Sequence, residues 1–177
     1  MKKILIPLLT LICMLLINGC EKTPETYVKM GSTEVNEFLD VLFMEELQQS
    51  PQSLTYLGLR DRYGEWNDIS DKARDASMDM TREHLEKVRT LDLAHVDDAT
   101  KLSVKMFIQQ ATLQIEGDKW RYHSYPVNQM RGAHSMIPSF LINQHLIANI
   151  EEAQAYIQRI VNSSALLDQL VTEIRIR

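Results

Sequence analysis

The sequence has 177 residues, 45% of them hydrophobic, and 19 basic against 24 acidic residues give a net charge of −5. That length suits one ordinary domain, and the acidic balance excludes a surface built to hold nucleic acid or anionic headgroups. Its two cysteines, Cys13 and Cys20, both lie near the start, so the rest of the chain can form no disulfide, cysteine nucleophile or thiolate zinc site.

Met1-Lys2-Lys3 is a short positive segment, and Ile4 to Ile17 is an almost unbroken apolar run of 14 residues containing Pro7. A membrane-spanning helix needs about 20 apolar residues, whereas an export signal has a positive end, an apolar stretch of about 7–15 residues and a small-residue cleavage site. Ile17-Asn18-Gly19-Cys20 resembles the lipobox at which lipoprotein signal peptidase cuts once the cysteine carries a diacylglycerol. Residues 1–19 are therefore expected to be a signal peptide, with Cys20 lipidated. Two acyl chains suffice for stable anchoring, which makes the membrane a partner through Cys20. Glu21 stands where an Asp would favour inner-membrane retention, so the expected location is the bacterial outer membrane, facing the periplasm. Without Lys2 and Lys3, the mature 158 residues hold 17 basic and 24 acidic groups.

Residues 20–31 read as a polar, lipid-anchored tether. Four amphipathic helices are expected after it. Val35, Phe38, Leu39, Leu42, Phe43 and Leu47 recur at helical spacing over residues 32–49. Ser50-Pro51 stops that helix, a short turn spans residues 52–57 to Gly58, and residues 60–68 form a polar loop carrying Tyr63 and Trp66. The second helix starts at the N-cap Ser70, with Ala73, Ala76, Met80, His84, Val88 and Leu91 as its inner stripe. The third opens at Asp97 or Asp98 and presents Leu102, Met106, Ile108, Ala111, Leu113 and Ile115. Residues 118–148 are irregular, with one short helix expected near their end. The fourth helix begins at Asn149, with Glu152 as a capping-box partner, and presents Ala153, Ile157, Ile160, Leu167, Val171 and Ile174.

These elements predict an all-α protein, its amphipathic helices packed as an open bundle. The last helix is still periodic when the sequence stops at Arg177. Residues 32–177 are thus expected to be a helical domain truncated at its C-terminus, the incomplete N-terminal part of a larger fold.

No catalytic constellation can be read from the residues. His84, His95, His123, His134 and His145 include no pair four apart, so the His-Glu-x-x-His zinc helix is missing. Gly132-Ala133-His134-Ser135-Met136 lacks the central serine of a nucleophile elbow. Asp97-Asp98 and Glu151-Glu152 sit at helix starts, where the helix dipole accounts for them, and Glu45-Glu46 lies largely on a polar face. The aromatic run from Trp120 to Tyr125 could stack on a sugar or peptide side chain, but packing onto the bundle is the simpler expectation. No catalytic, cofactor-binding or metal-binding residue is assigned.

Ser50-Pro51-Gln52-Ser53-Leu54-Thr55-Tyr56-Leu57-Gly58, placed after an amphipathic helix, resembles the opening motif of the bacterial family called domain of unknown function 885. Val127-Asn128-Gln129-Met130-x-Gly132 and Pro138-x-Phe140-Leu141 are similar to later segments of it, in the same order. So are Ala153-x-x-Tyr156-Ile157-x-Arg159-Ile160 and Leu166-Leu167-Asp168-Gln169. The resemblance runs from about Glu34 to the end. It implies a long, mostly helical, often lipid-anchored protein similar to zinc-dependent peptidases, whose His-Glu…His metal helix lies downstream of residue 177. It therefore implies zinc only beyond this chain, a peptide as substrate, and for these residues the wall of a substrate channel. A complete, non-enzymatic helical lipoprotein acting as a binding or assembly module is the alternative.

Overall fold

The computed structural model describes residues 27–176. The signal peptide, Cys20 and most of the tether lie outside the described residues. The protein is all-α, as the periodicities predict. The described residues form six α-helices: α1 (Ser32–Gln48), α2 (Pro51–Tyr56), α3 (Asp71–Arg89), α4 (Asp98–Gly117), α5 (Ala133–Asn143) and α6 (Ile150–Ile176). A 3-10 helix, Asp118–His123, follows α4 directly. The strands β1 (Val28–Lys29) and β2 (Leu91–Asp92) pair in parallel. The last residues read as tether thus belong to the fold, and Met30 packs on its core.

Local chemistry sets the helix ends. Ser70 Oγ accepts from Ala73 N–H at 3.2 Å, and Asp97 Oδ1 accepts from Thr100 N–H at 2.8 Å, each satisfying a donor that the first turn leaves free. Asn149 Oδ1 accepts from Glu152 N–H at 2.8 Å. The reciprocal half of that capping box does not form, because the Glu152 carboxylate takes Ala148 N–H and the Arg60 guanidinium instead. The segment expected as a turn after Ser50 is α2, with Pro51 at its first position, where a missing N–H costs nothing. Gly58 closes α2 at φ +79°. Gly58 N–H bonds Thr55 O and Leu59 N–H bonds Leu54 O, the two-bond C-cap that favours glycine.

Two apolar clusters form the interior. Val35 and Leu42 of α1, Val88 of α3, Leu91, Val96 and Val104 of α4 make the first. Trp66, Phe140 of α5 and Leu166 of α6 make the second. Several expected inner faces are corrected here. On α6, Arg159, Leu166, Leu170 and Glu173 are buried, whereas Ile157, Ile160, Leu167, Val171 and Ile174 of the expected stripe are exposed. On α4, Thr100, Val104 and Ala111 face inward, while Leu102, Met106 and Leu113 are exposed. Phe43 of α1 is also exposed, and Met78 rather than Met80 is the buried methionine of α3. The loop at residues 60–68, expected to be polar, drives Tyr63 and Trp66 into the interior.

Candidate functional site

An open groove of about 1400 Å³ runs beside the second cluster, lined by residues of α3, α4, the Trp66 loop and α6. Ala73, Arg74, Ser77 and Met78 of α3 and Gln114 of α4 line one wall. Trp66 and Asn67 of the loop, with Asn162, Leu166 and Gln169 of α6, line the other. Segment 124–136, leading into α5, closes one end with Arg131 and Ser135. The lining mixes apolar faces with hydrogen-bonding side chains, the composition usual for sites that take small organic or peptide ligands.

The wall containing Trp66 is held from behind by a buried cation. Arg159 is completely buried. Its Nε donates to Glu65 O at 3.0 Å, Nη1 to His145 Nδ1 at 3.0 Å and Nη2 to Thr55 Oγ1 at 2.8 Å. Its guanidinium carbon lies 4.8 Å from the Phe140 ring centre, 5.2 Å from Tyr63 and 5.7 Å from Trp66, within reach of cation–π attraction. Burial lowers its pKa to about 10, partly opposed by Tyr63 and Glu65, so it stays charged at neutral pH. Trp66 Nε1–H returns a 2.8 Å bond to Arg159 O. One residue thereby holds the indole both by its N–H and by its ring face.

The rest of the wall is bonded in the same way. Gln52 N–H donates to Asn67 Oδ1 at 3.0 Å, and Asn67 N–H donates to Gln52 Oε1 at 3.3 Å. Ser50 Oγ also donates to Asn67 Oδ1, at 3.2 Å. His145 Nε2 lies 3.1 Å from Glu152 O. Since Nδ1 accepts from Arg159, the imidazole is neutral with its proton on Nε2. Burial, the largest cause, pushes the His145 pKa down, and the Arg159 charge adds to that. Arg62 stands in the left-handed region at φ 53°, a conformation uncommon outside glycine. Its guanidinium holds it there, donating to Gln48 O and Glu65 Oε2, both at 2.6 Å.

The histidines and paired acids distribute as follows. His84 is buried between two carboxylates, with Nε2 2.9 Å from Glu45 Oε2 and Nδ1 3.2 Å from Glu46 Oε1. The two nitrogens point to different acids, so the trio braces α1 on α3 and does not converge on one point. His95, His123 and His134 are exposed and do not come together. Among the described residues no group of three or more His, Cys, Asp or Glu could hold a metal ion. The aromatic run departs from packing onto the bundle: Trp120, Tyr122 and Tyr125 are exposed. Tyr122 donates to Asp71 Oδ2 at 2.6 Å, and Arg121 reaches Asp75 Oδ1 at 2.6 Å, so this segment is pinned to α3 by polar bonds.

The Arg159 cluster escapes a search for catalytic motifs, but its members come from segments separated widely along the chain: Pro51 to Thr55, Tyr63 to Trp66, Phe140, His145 and Arg159. Three of those stretches carry the resemblance described above. A family model described as a bacterial protein of unknown function (DUF885) matches residues 51–177. The chain belongs to the DUF885 family. The match begins at α2, so α1 falls outside it although the resemblance was read from Glu34. In DUF885 terms, the opening motif is α2 with its caps, and its residues meet those of the α5 and α6 segments around one guanidinium. No curated protein and no solved structure matches the chain.

Proposed function

We propose that this DUF885 chain is the peptide-binding wall of a bacterial envelope lipoprotein, held to the outer membrane by lipid on Cys20 and performing no hydrolysis by itself. The supporting observation is the groove lined by α3, α4, the Trp66 loop and α6, whose Trp66 wall is braced by Arg159 and whose lining mixes apolar surface with amide, hydroxyl and guanidinium groups. Such walls suit an extended peptide, which needs both side-chain contact and partners for its backbone. The zinc-dependent chemistry of the peptidases that the family resembles is assigned to no residue of this chain. The lipid anchor is supported by the sequence from Lys2 to Cys20. No helix of the described residues is long and apolar enough to cross a membrane.

Trp66 supplies the test. Trp120 is the other tryptophan in the sequence, so a Trp120→Phe variant of the full chain in detergent reports from the groove wall. Short peptides are expected to change its emission saturably and to remain uncleaved. Unchanged emission up to millimolar peptide would reject the groove as a peptide site, and cleavage would reject the inactive reading.

A further inference from the structure

The charged groups of the groove do not balance one another. Five carboxylates line it: Glu46, Glu65, Asp68, Asp118 and Glu173. Each is already engaged. Glu46 meets His84, and Glu65 pairs with Arg62 at 2.6 Å. Asp68 accepts from Ser70 N–H at 2.9 Å and from Gln169 Nε2 at 3.1 Å, bonds that hold its pKa below the usual carboxylate range, the Ser70 N–H most of all. Asp118 lies 3.9 Å from Arg121. Glu173 is buried and interacts within the protein.

Four guanidinium groups line the same groove, those of Arg62, Arg74, Arg121 and Arg131. Arg62 is taken by Glu65 and Gln48 O, and Arg121 by Asp75 at 2.6 Å. The guanidinium groups of Arg74, in the first turn of α3, and Arg131, just before α5, make no hydrogen bond or ion pair with the described residues; only their backbones are bonded. Both are exposed, and both face the groove. The groove's acceptors are thus satisfied internally, while two of its cationic forks are free to be met from outside. A guanidinium fork matches a carboxylate in geometry as well as charge.

We infer that the groove selects ligands bearing a carboxylate, with Arg74 and Arg131 as the residues that bind it. This deepens the peptide reading and rests on it. The carboxylate could be a peptide's C-terminus or an Asp or Glu side chain, since the fork sees the same two oxygens in each.

The experiment uses the full chain with Trp120→Phe in detergent and three N-acetylated tetrapeptides of otherwise identical composition. One has a free C-terminal carboxylate, one a C-terminal amide, and one the amide with a single internal Glu. At least one carboxylate peptide is expected to bind about tenfold more tightly than the plain amide, the scale of a charge-assisted hydrogen bond. The advantage should shrink as salt rises. Preference for the first peptide alone assigns the site to the C-terminus, and preference for the third alone assigns it to an acidic side chain. The double variant Arg74→Gln with Arg131→Gln is expected to erase the preference. Arg82→Gln, elsewhere on α3, should leave it intact. Both variants should melt close to the parent, since the free guanidinium groups have no hydrogen bond or ion pair to lose and Arg82 loses only an exposed pair with Asp79. Equal binding of all three peptides overturns the carboxylate assignment while leaving the peptide reading standing, and so does a preference that survives in the double variant. Binding of none of them overturns both.

Discussion

Arg159 places a positive charge in the interior and meets it with carbonyls, a hydroxyl, an imidazole and ring faces. A planar fork can address Glu65 O, Thr55 Oγ1 and His145 Nδ1 together, whereas an ammonium cannot span them. Arg159→Lys keeps the charge but strands at least one of these buried acceptors, at a cost of about 1–3 kcal/mol for each one left unmade. A loss of about 3 kcal/mol is expected in urea denaturation, with a weaker or shifted Trp66 signal because the indole loses its support. His145 brings a pH dependence of definite sign. Its pKa is lowered in the fold, so the unfolded chain, with a histidine near 6.5, takes up the proton first. The stability that neutral His145 lends is present above about pH 6.5 and is lost as pH falls through the folded value. The melting temperature should drop on acidification from pH 7 towards 5. His145→Asn, which retains an acceptor for Arg159 and does not titrate, should flatten that part of the curve. Glu152 and Asp68, whose pKa values are also lowered, contribute further losses only below about pH 4.

At the scale of the element, the ends were easier to read than the faces. Ser70, Asp97, Asn149 and Pro51 announce helix starts through hydrogen bonds made within one turn, and such bonds need no knowledge of the rest of the fold. Which side of a helix turns inward depends on partners distant in sequence. Along α6, apolar residues stand seven apart at Ile150 and Ile157, with Val171 two such steps further on, and again seven apart at Ile160, Leu167 and Ile174. A period count selects that stripe. The structure turns a different face inward because it offers Arg159 to the Pro51 carbonyl and Thr55 hydroxyl of α2 and Leu166 to Trp66 and Phe140. Point substitutions separate the two assignments. Leu166→Ala should cost about 2–5 kcal/mol, the range for a buried leucine, whereas Ile157→Gln on the exposed face should stay within about 0.5 kcal/mol. Thermal or denaturant unfolding of the pair checks it, and a reversed order would restore the period-based face.

For the molecule as a whole, the all-α class followed from pattern alone, and the family could be read from short segments in fixed order. The groove could not. Tyr63 and Trp66 lie in a stretch rich in Arg, Asp and Gly, and nothing local tells that its aromatic rings turn inward onto a cation 93 or more residues away. The signal for the cluster was the spacing of the family-like segments, which meet only once the chain is folded. Their meeting point also backs one wall of the groove, which α3 and α4 line on one side and the Trp66 loop and α6 on the other. A ligand that touches α3 and α6 together ties these elements to each other as well as to itself. Because such a ligand meets its partners only in the folded chain, occupancy of the groove and resistance to unfolding should rise together.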